Sequence, residues 1–232
     1  MTTRWQHTDT ARGEEYDARW IPLAEAGENI HGEADLVDAL LRDSGRNRVL
    51  DAGCGTGRVA IELSRRGFIV TGVDADTAML DAARAKAPEI DWREGDLAGS
   101  TDPRVNSLGP GMVDLVLLAG NVMIFLEPDT EGTVLQNLSG QLAANGLLVA
   151  GFSVQPGQLS CDSYDAAAAA AGLIPVARWA SWDRRPFAGG DYAVTVHRRG
   201  AAHGDSHRAS ELTSTTCSPP GSPHRACSAP RC

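Results

Sequence analysis

The stretch Val49-Leu50-Asp51-Ala52-Gly53-Cys54-Gly55-Thr56-Gly57 sets a carboxylate two residues before glycines at alternate positions. Glycine permits backbone angles that other residues resist, and it leaves no Cβ between a ligand and the main chain. A ligand is therefore expected against this turn. A dinucleotide fingerprint would continue G-x-G-x-x-G/A, but the sixth position from Gly53 is Arg58. Asp51 also argues against a pyrophosphate, which it would repel, and for a cationic ligand or a hydrogen-bond donor.

Two further acids point to a nucleoside. Ile69-Val70-Thr71-Gly72-Val73-Asp74 reads as a strand ending in a carboxylate. At that place Asp74 can accept hydrogen bonds from both ribose hydroxyls. Asp96 in Glu94-Gly95-Asp96-Leu97 is placed to bind an adenine amino group, with Leu97 against the ring; a surface loop acid is the competing reading. A cationic end beside Asp51 fits S-adenosylmethionine (SAM) better than a dinucleotide, whereas Asp74 supports an adenosine of either without choosing between them.

Other reactive side chains carry less. Cys54 lacks an evident base and is read as a small filler residue whose main chain faces the cofactor. Asn121 follows the fourth strand candidate and serves either the reacting groups or a turn. Its neighbours, Gly-Asn-Val-Met, are not the Asn/Asp-Pro-Pro-aromatic run of enzymes that methylate amino groups of bases or glutamine. His31 is read as a loop histidine rather than a general base. Trp179, Trp182 and Tyr192 are expected to pack on a terminal hairpin, and Arg184, Arg185, Arg198 and Arg199 form a basic cluster that suits solvent or an anionic substrate equally. No catalytic residue is assigned.

The elements that must position these groups alternate between short apolar runs and helical patterns. Strands are expected over 48–52, 68–73, 91–94, 113–119, 147–152, 173–182 and 192–198, and helices over 57–66, 76–87, 130–143 and 160–171. Earlier, one or two amphipathic helices lie around 14–26 and 33–42. Alternation of this kind predicts a parallel sheet with helices on both faces, and the turn-rich segment before Tyr192 predicts a closing antiparallel hairpin. From Gly200 to Cys232 the chain is rich in Ser, Thr, Pro and Ala, and disorder is expected there. The spacing of its His203, His207, His224, Cys217 and Cys227 matches no known zinc pattern.

On these residues the chain resembles the class I SAM-dependent methyltransferases. VLDAGCGTGRVAIELSRRGFIVTGVDADTAML resembles their first two motifs, GDL at 95–97 their third-strand motif, and DLVLLAGNVMIFL from Asp114 their fourth. The resemblance implies an α/β, Rossmann-like sheet of seven strands in the order 3-2-1-4-5-7-6, strand 7 antiparallel, with an N-terminal helical cap over residues 1–44 and the cofactor domain over 45–199. It also implies a cap motif at Tyr16-Asp-Ala-Arg-Trp, with Arg19 pairing the carboxylate of SAM. The cofactor residues expected are Tyr16, Arg19, Asp51, Gly53, Cys54, Gly55, Gly57, Asp74, Ala75, Asp96, Leu97 and Ala119.

Composition bounds the partners. The 232 residues carry a formal net charge of -9, which lowers the expectation of a nucleic-acid partner. No run of about 18 apolar residues exists, and no secretory signal is visible. Five cysteines without a CxxC pair predict reduced thiols and a cytoplasmic protein. A small-molecule acceptor is expected, and no metal. A non-catalytic SAM binder and an NAD(P)-dependent oxidoreductase are the competing readings.

Overall fold

A computed structural model describes residues 3–99 and 109–200. The expectations for residues 201–232 lie outside the described residues. Seven strands form one sheet in the order β3-β2-β1-β4-β5-β7-β6. They are β1 (Arg48–Ala52), β2 (Ile69–Asp74), β3 (Asp91–Glu94), β4 (Val113–Leu118), β5 (Leu142–Ser153), β6 (Leu173–Trp179) and β7 (Tyr192–Arg199). β1 pairs in parallel with β2 and β4, and β4 with β5, whereas β7 runs antiparallel between β5 and β6. This is the order and strand direction that the resemblance implies.

The helices are α1 (Gly13–Asp17), α2 (Ile21–Glu25), α3 (Gly32–Leu41), α4 (Arg58–Arg65), α5 (Thr77–Lys86), α6 (Val122–Phe125), α7 (Glu131–Gln141) and α8 (Cys161–Ala170). The central strands are apolar on both sides, as strands buried between two helical layers must be. Leu50, Val116, Leu148 and Phe152 pack with Met123, Leu135 and Tyr164 of α6, α7 and α8. Val49, Leu115, Leu117 and Val149 pack on the other face with Val37, Val59 and Leu63 of α3 and α4.

The amphipathic pattern around 14–26 does not form one helix. It breaks into α1, a 3-10 turn at Ala18–Trp20, and α2 with Pro22 in its first turn. Proline lacks the N–H that a continuous helix would need there, and none of these three pieces buries a residue in the core. β6 ends at Trp179, short of the expected Trp182, because Ala180 donates instead to the carbonyl of Arg185 across a turn. α7 stops at Gln141, and Leu142 already bridges Val113, with a register shift before Leu115. α6 is a single turn that the sequence reading did not anticipate.

Neighbours of β1 in the sheet run outward in opposite senses, β2 on one side and β4 on the other. The loops leaving β1 and β4 therefore diverge and open a crevice at their C-terminal ends, the usual ligand position in open α/β sheets.

Candidate cofactor and acceptor site

The first crevice wall is the turn after β1. Gly53, Gly55 and Gly57 all take positive φ, at 80°, 54° and 81°. Positive φ is strained for other residues and explains why glycine stands at each. Their surroundings differ. A Cβ on Gly53 would lie 2.4 Å from Cγ2 of Val122, so this glycine lets the β1 and β4 turns approach. A Cβ on Gly57 would lie 2.5 Å from the Trp92 ring. The Cα of Gly57 thus faces protein, and Gly57 borders neither lobe of the crevice described below. Its φ starts α4, and its lack of a side chain admits Trp92.

Asp74 organises this turn. One carboxylate oxygen accepts from the N–H of Gly55 at 2.7 Å, and the other from Asp76 N–H at 2.9 Å. Each oxygen keeps a further lone-pair direction for a ligand hydroxyl. Enclosure pushes its carboxyl above the ordinary value, partly offset by these N–H donors.

The crevice has two lobes. The smaller, about 90 Å³, is lined by Asp74, Ala75, Met79, Asp96, Leu97 and Phe125 among others. Asp96 also receives the N–H of Ala98 at 2.8 Å, so it closes its own turn while facing the lobe. The larger lobe, about 810 Å³, is lined by Asp51, Arg19, Glu33, Arg58, Ala119 and Tyr192 among others. Tyr16, Gly53, Gly55, Gly120, Trp5 and Phe125 border both. The expected residues thus gather on one crevice, except Gly57. Cys54 lines the larger lobe, but its thiol points back toward Gly72, where a Cβ would lie 3.0 Å from Sγ. Burial drives that thiol well above its ordinary value, so it is no nucleophile.

Asp51 is the most informative group. It is 1% exposed, and neither carboxylate oxygen has a hydrogen-bond partner. Desolvation pushes its carboxyl up to about 7, against the opposing pull of Arg58. A buried acceptor pair without a donor is costly unless a ligand supplies one. The cationic end of SAM is such a donor, and the ribose fits the remaining capacity of Asp74. The residues present therefore fit this cofactor.

Several site residues were not singled out from sequence. Trp5 packs edge-on to Tyr16 and Phe125, with ring centroids 5.8 and 5.4 Å apart, and donates to Asp76 at 3.0 Å. Arg12 reaches the same Asp76 oxygen at 2.7 Å. The polar N-terminal stretch is thereby fastened over the crevice. The Tyr-x-x-Arg spacing stacks Arg19 on Tyr16 at 3.7 Å, with a hydrogen bond from Arg19 to the Tyr16 hydroxyl. Arg58, which breaks the dinucleotide pattern, forms a two-pronged pair with Glu33 at 3.0 and 2.5 Å and stacks on Trp20 at 4.0 Å. It ties α3 and Trp20 to the end of the glycine turn. Glu33 could have been found only from the unusual burial of its face, since its number is far from Arg58.

Asn121 resolves as a structural residue. It takes φ of 68°, starts α6, and its Oδ1 accepts from both the N–H and the hydroxyl of Ser153. His31 precedes α3 and lines neither lobe. The basic cluster disperses: Arg185 meets Asp183, Arg198 meets Asn145, and Arg199 meets backbone carbonyls. No group of acids, histidines and cysteines among the described residues could hold a metal ion.

The comparisons agree with this geometry. Residues 49–146 match a family described as a methyltransferase domain. Human glycine N-methyltransferase is 38% identical over 124 residues, 47% of this chain and 42% of that protein. Magnesium-protoporphyrin O-methyltransferase of Rhodobacter capsulatus is 35% identical over 96 residues, 39% of each. The matched stretch spans less than half the length of these curated relatives. A solved structure extends further: a TehB-like SAM-dependent methyltransferase from Corynebacterium glutamicum is 37% identical, with a TM-score of 0.70, covering 80% of this chain and 97% of that one. With that likeness over nearly the whole of a solved relative, and with a glycine turn, a carboxylate ending β2 and an unpartnered buried carboxylate on one crevice, the chain belongs to the class I SAM-dependent methyltransferases.

Proposed function

We propose that this protein transfers the methyl group of SAM to a small-molecule acceptor by in-line displacement. The observation that carries the reading is Asp51, buried without a hydrogen-bond partner on the wall of the larger lobe. SAM supplies a methyl group already activated by its sulfonium. The chain's own part is binding, orientation and exclusion of water. Asp74 receives the ribose hydroxyls, Leu97 and Ala75 border the adenine, and Asp51 faces the cationic end. Gly53, Gly55 and Ala119 offer main chain or small side chains along the path, and Arg19 with Tyr16 closes over the methionine carboxylate.

The division into a cap over 1–44, a cofactor domain over 45–199 and a tail belongs to the same proposal. So does a cytoplasmic setting, which fits the unpaired thiols of Cys54 and Cys161. No helix among the described residues is long and apolar enough to cross a membrane. The volume of the larger lobe, about 810 Å³, lies within the range of small-molecule sites.

Calorimetric titration of SAM and S-adenosylhomocysteine (SAH) tests the cofactor, with Asp74→Ala as the control. Micromolar binding lost in the variant is the expected result. A folded protein that binds neither ligand refutes the reading. Methyl transfer in an acceptor screen separates the enzyme from a non-catalytic binder.

A further inference from the structure

Most polar side chains of the larger lobe are already committed. Glu33 and Arg58 hold each other, Asn121 is held by Ser153, and the Thr56 hydroxyl donates to Asp17. Ser181, Asp183 and Arg185 bind among themselves. Two tyrosine hydroxyls keep a proton that no described residue accepts. Tyr16, with Arg19 on its ring, borders both lobes and serves the cofactor side. Tyr192 borders the larger lobe alone.

Tyr192 is oriented by its neighbour Trp182. The indole N–H of Trp182 donates to its hydroxyl oxygen at 3.2 Å, which leaves the hydroxyl proton to point elsewhere. Both rings sit over Gly151 of β5, where a Cβ would lie 2.2 Å from Trp182 and 2.6 Å from the Tyr192 oxygen. The glycine makes room for the pair. Burial pushes the Tyr192 phenol up to about 12, so it stays a donor. The charged groups that face it, Glu33 and Arg58, neutralise each other.

The lobe also lacks a free base among the described residues that line it. It contains no histidine, Glu33 is tied to Arg58, exposed Asp183 to Arg185, and Asp51 faces the cofactor. An acceptor must therefore arrive with its nucleophile ready. The rings of Trp182, Trp20 and Phe125 line the lobe and favour a flat apolar body.

We propose that Tyr192, oriented by Trp182, is the acceptor-binding donor, and that the acceptor is a phenolate on a small aromatic molecule. The inference rests on the methyl-transfer reading above. The phenol proton leaves to solvent before the acceptor binds. The phenolate oxygen then forms its bond to the methyl carbon as the carbon–sulfur bond breaks, with the electron pair remaining on sulfur. No proton moves in that step, so no base is required.

The test uses the full-length protein saturated with SAH and para-nitrophenol as the probe, whose ionisation is read from its absorbance. Wild type should bind the phenolate and lower its apparent pKa. Tyr192→Phe should weaken that binding roughly tenfold to a hundredfold, the range for losing a hydrogen bond to a charged group. Trp182→Phe should weaken it less, because the hydroxyl remains but is no longer oriented. SAH affinity, measured on each variant, should stay unchanged and reports folding. Equal phenolate binding in Tyr192→Phe, or no binding to the wild-type SAH complex, overturns the inference alone. Failure of SAH to bind wild type overturns the methyl-transfer reading beneath it.

Discussion

Replacing Asp51 with Asn should stabilise the protein in the absence of cofactor. The carboxyl rises from 3.8 unfolded to about 7 folded, because burial strips water from its ionised form by more than the pull of Arg58 offsets. Between those values the folded chain keeps a proton that the unfolded chain has lost. Stability therefore falls as pH rises from about 4 to about 7, and is flat outside that window. Roughly three units at about 1.36 kcal/mol each set a ceiling of about 4 kcal/mol. Asn imitates the protonated acid and escapes this penalty, so its advantage should be absent near pH 4 and full above pH 7 or so. The assay is denaturant unfolding of both proteins across that range, without ligand. Saturating SAM should reverse the order, since only the carboxylate can pair with a cation and ligand binding stabilises by mass action. A variant less stable than wild type at neutral pH would refute the reasoning, because it would mean that the carboxylate has a donor.

Gly57→Ala should lower stability by about 1–3 kcal/mol, through positive φ and the Trp92 contact, while molecules that remain folded bind SAM normally; calorimetry on the folded fraction checks this. Asn121→Ala should cost about 1–3 kcal/mol by leaving the half-buried Ser153 N–H unpaired, seen as a lower melting temperature. In mass-spectrometric mapping with iodoacetamide, native Cys161 should label before Cys54, whose thiol is buried and held protonated; early labelling of Cys54 would contradict its placement.

Local pattern and tertiary placement can be separated residue by residue. The strands β1, β2 and β4 were legible because each is a short apolar run ended by an acid or glycine, with a helical pattern behind it. The same pattern misled around 14–26, where periodicity suggested one helix and Pro22, with no core to bury a face, left three short pieces. Gly57 shows the limit of motif reading. Its alternate spacing made it look like Gly53, yet the neighbour that requires glycine is Trp92 from another strand. In the sequence Arg58 stands only as a mismatch to the dinucleotide pattern; its partner Glu33 lies on α3, and no local signal connects the two.

Sequence by itself determined the glycine turn, the acids at the ends of the first three strands, and the order of strands and helices. These are local matters of backbone freedom, charge and apolar spacing. Tertiary structure alone decided which of those groups are satisfied. It left Asp51 without a donor, fastened Trp5 over the crevice through Asp76, spent Asn121 on Ser153, and set Trp182 and Tyr192 across Gly151. Satisfaction of a polar group depends on what other chain segments bring within hydrogen-bond distance, and those segments are remote in sequence.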